Sequence, residues 1–219
     1  MRFLDIAVSV LALLVTLPLL LVAGLGIRLT SPGPVLYWAQ RMGKDCKPFR
    51  MAKFRTMHVG ADVGAQISGR NDARVFRFGA ILRLTKIDEL PQFWNVLIGD
   101  MSLVGPRPEA VDIVRAHYSN WMMRTLEVRP GITSPGAIYY YTSGDRLIDD
   151  DNPEASYLAK VLAPKLAIDL AYIDRRNVLR DIGVLFRTAI AIIQIILGKE
   201  DFALPKEARE ARKWFPIEE

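Results

Sequence analysis

The stretch IAVSVLALLVTLPLLLVAGLGI, residues 6–27, is 22 residues long and carries no charge, closed off by Asp5 before it and Arg28 after it. As one helix it runs about 33 Å, enough for a bilayer core of about 30 Å. A cleavable signal peptide fits poorly. Only Arg2 supplies a positive charge ahead of the run, Asp5 lies almost inside it, and no small-x-small cleavage site follows. Two membrane readings remain. One is a single spanning helix. The other turns on Pro18, with Thr16 two residues before it. Proline removes a backbone donor and clashes one turn back, so the helix bends there. Thr16 is placed to take up part of the freed backbone bonding, and a sufficiently bent helix enters and leaves by one face of the bilayer.

Working outward, residues 28–58 hold seven basic side chains (Arg28, Arg41, Lys44, Lys47, Arg50, Lys53, Arg55) against one acid, Asp45. Such a segment needs an anionic partner, and the apolar run just upstream favours lipid headgroups over nucleic acid. The same charges place this side of the helix in the cytoplasm. The lone Cys46 forms no internal disulfide, which suits that compartment. His58 and His117 are the only histidines, and no Cys/His cluster argues for zinc. A metal here is one that carboxylates hold, magnesium or manganese.

The breaker cluster Thr30-Ser31-Pro32-Gly33-Pro34 ends the first helix. Residues 35–57 read as short strands or irregular surface structure, and 60–71 as a mobile loop. Apolar residues at helical spacing follow over 75–84, with further helices expected over 88–98 and 108–123. Asn152-Pro153-Glu154 is a cap followed by proline at the first helical position, opening helices to about residue 176. A last helix is expected over 181–197; its apolar end, 189–197, is too short to span and is either core, the favoured reading, or laid on the membrane beside the first helix. The fold class is mainly α with a small β component.

Within KIDELPQFWNVL, residues 86–97, the carboxylates Asp88 and Glu89 stand side by side. One reading makes them helix-start residues: Thr85 to Asp88 has capping-box spacing, and acids suit the first turn of a helix. The other makes them metal ligands or a nucleophile, kept ionised by the helix dipole. Arg83, Lys53 and Arg55 lie nearby in sequence, and Gly105-Pro106-Arg107-Pro108 stands at an expected helix start. Backbone amides at a helix N-terminus beside an arginine suit a phosphate. Together these residues suggest a phosphoanhydride substrate.

The segments SPGPVLYWAQRMGKDCKPFRMAKFRTM (31–57), LTKIDELPQFWNVLIGDMSLVGPRPE (84–109) and RPGIT (129–133) resemble the bacterial sugar transferases, the monotopic phosphoglycosyl transferases that act on polyprenol phosphate. The matches run in order from residue 3 to about 190. The resemblance implies residues 1–29 as a re-entrant, Pro18-kinked membrane helix, 30–200 as a catalytic domain on the cytoplasmic face of the bacterial inner membrane, and 201–219 as a peripheral tail. It implies transfer of a sugar phosphate from a UDP-sugar to undecaprenyl phosphate, with UMP leaving. Asp88 matches the family's nucleophile. Glu89 matches its partner, expected to hold magnesium (or manganese) or to assist the second step. Arg83 and Arg107 are expected at phosphates, with Pro106 and Pro108 beside Arg107 counted among the substrate-binding residues, and Lys53 and Arg55 at phosphate or lipid head. Gln92 and Asn95 lie near the site or serve the fold, and Asp100 and Ser102 organise the turn before Gly105. Downstream glycosyltransferases and a second copy of the chain are compatible partners.

Two departures stand out. Many members follow the Gly-Ile-Thr segment with an Ala-Gln-Val and Gly-Arg pattern, where this chain has Ser134-Pro135-Gly136-Ala137-Ile138-Tyr139-Tyr140-Tyr141. The donor sugar therefore does not carry over. The polytopic N-terminal extension of many members does not precede residue 1, so a minimal catalytic form is expected. A rival from another class is a membrane-surface binding module that uses the acid pair only as a cap.

Overall fold

The computed structural model describes residues 2–61, 67 and 72–216. Most of the loop expected over 60–71 lies outside them, as do residues 217–219. Helix α1 (Arg2–Thr30) is unbroken through Pro18. Thr16 does not relieve the proline as expected. Its hydroxyl donates to the Ala12 carbonyl at 2.7 Å, whereas the carbonyl that Pro18 deprives of its donor is that of Leu14.

Asp5, Ser9, Ala23 and Ile27 form a buried stripe down one side of α1. Most of its remaining surface is exposed and apolar, including Phe3, Leu14, Val15, Leu21 and Leu29. Among the described residues α1 is the one helix long and apolar enough to cross a membrane. Its two ends nevertheless meet the same body. Arg2 donates to the carbonyls of Val96 and Leu97, the latter at 2.6 Å, where a cation satisfies the C-terminus of α3 (Gln92–Ile98). Asp5 accepts from the Leu103 amide at 3.3 Å. At the far end Ala23 and Ile27 pack with Phe54, Phe76 and Leu82.

The chain then turns through Ser31–Pro34 into a hairpin of β1 (Leu36–Met42) and β2 (Pro48–Phe54). The antiparallel register sets Tyr37 opposite Lys53, Ala39 opposite Met51 and Arg41 opposite Phe49, so these six side chains share one face. The second sheet is the parallel pair β3 (Ser102–Val104) and β4 (Gly131–Thr133). Gly105 and Gly131 allow this crossing: a Cβ on Gly105 would lie 2.5 Å from the Arg129 carbonyl, and one on Gly131 2.1 Å from the Gly105 amide.

The remaining helices are α2 (Arg77–Leu84), α4 (Val111–His117), α5 (Asn120–Met123), α6 (Pro135–Thr142), α7 (Pro153–Lys160), α8 (Leu162–Ile173), α9 (Val178–Ile196) and α10 (Ala208–Ala211). Helix α8 is buried nearly all round and forms the centre against which α6, α7 and α10 pack. The mainly helical fold with a small β component is therefore observed.

Several element limits differ from expectation. The helix expected over 88–98 begins at Gln92, and Asp88 and Glu89 lie in a separate 3₁₀ turn, Ile87–Glu89. Thr85 caps nothing ahead of it, because its hydroxyl donates back to the Ile81 carbonyl at 2.8 Å. The capping-box reading fails for that reason. The expected helix over 108–123 is two, α4 and α5, and neither begins at the Gly-Pro-Arg-Pro segment. Residues 189–197 are not core: Ala191 is buried, but Ile190, Ile193, Ile196 and Leu197 are exposed. The segment after residue 200 is not merely peripheral. Ala208 and Ala211 enter the main core, Arg187 pairs bidentately with Glu207 at 2.8 Å, and Trp214 stacks on Trp121.

Asp169, on α8 and fully buried, accepts from the Gly136 amide at 2.8 Å. Burial raises its pKa to about 6 despite that bond. Between about pH 4, where the unfolded group titrates, and pH 6 the folded chain holds a proton that the unfolded chain has lost. Stability therefore falls as pH rises across this window, by roughly 3 kcal/mol in all. Asp169→Asn is expected to flatten that slope in denaturant titrations run from pH 4 to 7. An unchanged slope would assign it elsewhere.

Candidate active site

Asp88 and Glu89 line a cavity of about 1050 Å³ that also takes in Lys53, Arg83, Lys86, Arg107 and Tyr141. Local conformation brings the acids there. Lys86 adopts φ 58°, in the left-handed region, which turns the chain from the end of α2 into the 3₁₀ turn. A lysine held there costs on the order of 1 kcal/mol, a strain that the surroundings must impose.

The two carboxylates are treated differently. Glu89 Oε1 takes the Arg107 guanidinium at 2.6 Å and the Lys53 ammonium at 3.6 Å. The Tyr141 hydroxyl donates to Oε2 at 3.4 Å. Asp88 is buried, and its Oδ1 has no hydrogen-bond partner among the described residues. Burial by itself would raise the Glu89 pKa, but Arg107 and Lys53 hold it down to about 2. Burial, with the Glu89 charge beside it, pushes Asp88 above the usual carboxylate range, against the pull of Lys53, Lys86 and Arg83. Burial also brings Lys53 down to about 8, opposed by Glu89. Arg107 and Lys53, not a helix dipole, therefore hold Glu89 as an anion, while burial and the Glu89 charge work against the ionised form of Asp88.

Arg107 is presented by the corner 105–108. The Gly105 amide already donates to the Thr133 carbonyl at 3.0 Å, and Pro106 and Pro108 have no amide hydrogen to give, so the corner has few amides with which to cradle a phosphate. Pro108 lines the cavity, whereas Pro106 is buried behind it. Arg83 reaches the cavity with its Nε on the Thr56 hydroxyl at 2.8 Å. Arg55 does not turn its donors to phosphate. It donates to the carbonyls of Pro34 and Ser31 at 2.6 and 2.7 Å and to the Ser31 hydroxyl at 2.8 Å, fastening the turn that follows α1. Gln92 is fully buried outside the cavity lining, with both amide atoms unpartnered among the described residues. Asn95 ties α3 to β2, accepting from the Ala52 amide and donating to the Arg50 carbonyl, both at 2.8 Å.

Four residues that line the cavity escaped the sequence reading of the site: Arg41, Lys86, Tyr141 and Lys165. Lys86 lies over the Tyr141 ring at 3.9 Å, with Arg107 at 5.8 Å from the same ring. The stretch of three tyrosines marked the segment as unusual without saying which ring points at Glu89. Lys165 sits deeper, paired with Glu109 in a buried group that includes Tyr157.

The donor set suits magnesium or manganese completed by a substrate. A buried, unpartnered carboxylate oxygen on Asp88 is the hard ligand that these ions take, and magnesium commonly binds through one or two carboxylates plus phosphate oxygens. Among the described residues no cluster of three or more Asp, Glu, His or Cys offers an alternative site.

A membrane-length helix docked beside a cavity of paired carboxylates and arginines defines a class. Residues 1–195 match the model of the bacterial sugar transferase family, and the chain belongs to that family. It is 38% identical to a UDP-glucose:undecaprenyl-phosphate glucose-1-phosphate transferase of Xanthomonas campestris, over 86% of this chain and 38% of that protein. It is 37% identical to a UDP-N-acetylgalactosamine-undecaprenyl-phosphate N-acetylgalactosaminephosphotransferase of Aeromonas hydrophila, over 88% of this chain and 43% of the relative. It is also 38% identical to an exopolysaccharide production protein of Rhizobium leguminosarum, over 87% of this chain and 93% of the relative. The chain thus spans less than half the length of the first two.

Proposed function

We propose that the chain transfers a sugar 1-phosphate from a UDP-sugar to undecaprenyl phosphate, releasing UMP, through a covalent intermediate on Asp88. The observation that carries this is the division of labour in the acid pair: Glu89 is neutralised by Arg107 and Lys53, while Asp88 Oδ1 is left without a partner among the described residues. An Asp88 oxygen attacks the sugar-bearing phosphorus. The bond to the bridging oxygen breaks, and its electron pair leaves with UMP. The lipid phosphate then attacks the same phosphorus and Asp88 departs. Two steps let a soluble donor and a lipid acceptor use one site in turn. Arg107 and Arg83 stand where charge spreads over the phosphoryl oxygens. Asp88 and Glu89 would hold the magnesium, whose charge, when bound, offsets that of the diphosphate.

The placement at a cytoplasmic membrane face rests on α1. Because both its ends fasten to one domain, a spanning path would drag part of that domain across the bilayer, and a re-entrant or in-plane path does not. The relatives' names divide between glucose and N-acetylgalactosamine donors, so the donor must be found by experiment. Intact-protein mass after incubation with magnesium and a panel of UDP-sugars, without lipid, is expected to rise by one sugar phosphate, and not in Asp88→Asn. UMP release on lipid addition with no adduct at any time would favour direct transfer instead.

A further inference from the structure

The face of the hairpin that floors the cavity carries two cations. Lys53, opposite Tyr37, stands at the acid-pair end and is committed to Glu89. Arg41 lies four residues along β1 from Tyr37, about 13 Å further by strand geometry, with only Ala39 and Met51 between them on that face. Its strand is pinned there: the Met42 amide donates to the Glu109 carbonyl at 2.9 Å, and Arg41 bridges to Ala110.

Arg41 lines the cavity, yet its guanidinium makes no hydrogen bond or ion pair among the described residues, and Nε is enclosed without a partner. The obvious counterion, Glu109, is already held through Oε1 by Lys165 and Tyr157. Glu89, the next, is held by Arg107 and Lys53. Arg41 is therefore a cavity-lining positive charge without a hydrogen-bond partner among the described residues, in a setting where an unpaired charge is costly. A planar donor fork of this kind matches a phosphate.

We propose that Arg41 forms a second phosphate subsite, which holds the phosphate that stays with the nucleotide when the sugar phosphate moves to Asp88. This rests on the reading of the chain as a UDP-sugar transferase. The two phosphates of a diphosphate share one bridging oxygen, so with the reacting phosphorus at Asp88 the other lies directly beside it, and the long Arg41 side chain, whose charge acts on Lys53 and Arg107, spans the strand offset to meet it. Arg41 then neutralises the oxygen that receives the electron pair when the anhydride bond breaks.

The test is equilibrium binding of UMP and of uridine to the full chain in lipid nanodiscs, for wild type, Arg41→Met and Arg41→Lys. Methionine keeps the apolar stem and lysine the charge without the fork, and thermal midpoints check that each variant folds. Wild type is expected to bind UMP at least about tenfold more tightly than uridine, the scale of a charge-assisted bidentate contact. Arg41→Met should erase that preference without changing uridine affinity, and Arg41→Lys should keep part of it. A folded Arg41→Met that retains the full UMP preference overturns the subsite and leaves the transferase reading standing. Loss of undecaprenyl phosphate binding with UMP unaffected would overturn it too, and give Arg41 to the acceptor. If wild type binds neither UMP nor uridine, the transferase reading itself falls, and the subsite with it.

Discussion

Asp88→Asn is expected to abolish sugar-phosphate transfer, with UMP release falling by at least about 10⁴-fold, the scale on which nucleophile removal acts, while the thermal midpoint does not fall. Asparagine has the shape of the residue it replaces, and Oδ1 makes no hydrogen bond among the described residues for the substitution to break, so the loss is confined to the pull of Lys53, Lys86 and Arg83 on the charge. Removing a buried negative charge beside Glu89 also relieves the repulsion that raises the Asp88 pKa. Glu89→Gln behaves differently. It removes the negative charge that balances the Arg107 guanidinium at 2.6 Å, in a site where both side chains are nearly enclosed, so activity and stability fall together. Purified protein, UDP-sugar, undecaprenyl phosphate and a melting curve distinguish the two. A fully active Asp88→Asn would remove the covalent mechanism and return the acid pair to a structural role, as the binding-module rival requires.

The largest stability effect is expected at Lys165. Its ammonium, with 4% of the side chain exposed, pairs with Glu109 at 5%, and also donates to the Tyr157 hydroxyl at 3.0 Å. Burial would raise the Glu109 pKa, but Lys165 above all, with the Tyr157 hydroxyl, holds it below the usual range. Lys165→Met removes the ammonium that chiefly holds a buried carboxylate, a loss on the scale of about 3–5 kcal/mol that the nearby Arg41 charge offsets only in part. At two to four degrees per kcal/mol for a chain of this size, the thermal midpoint should drop by roughly 6–20 °C. Adding Glu109→Gln should restore much of the loss, because a neutral pair carries little of the desolvation cost. A double variant no better than the single would show that the damage comes from packing of the lysine stem and not from the orphaned charge.

Much of this site was legible because its chemistry is clustered in short runs. Asp88 and Glu89 are adjacent, and Arg107 and Lys53 sit in dense local motifs that converge on Glu89. What the sequence could not disclose is how donors are spent. Arg55 looks like Arg107 on paper, but its guanidinium is used up on carbonyls and a hydroxyl at Ser31 and Pro34. Thr85 has the spacing of a cap, but its hydroxyl bonds backwards to Ile81 and Leu82, and that local competition ends one helix before the acids begin. The Lys165–Glu109–Tyr157 group joins residues 48 and 56 positions apart, a closeness that only tertiary packing creates. Arg41 was within reach. Once 35–57 is read as a hairpin, alternation puts residues 37, 39 and 41 on one face with 51 and 53.

The fastening of α1 at both ends has a mechanical consequence. A helix held at one end behaves as a tether, and the body it carries bobs and tilts above the lipid. With Arg2 on the end of α3 and Ile27 against α2 and β2, the apolar surface of α1 and the floor of the cavity belong to one rigid piece. Under the proposed transfer, the height of Asp88 above the headgroups is then a built-in dimension, like the depth stop on a drill, and the lipid phosphate rises to meet it by a distance that bilayer thickness sets.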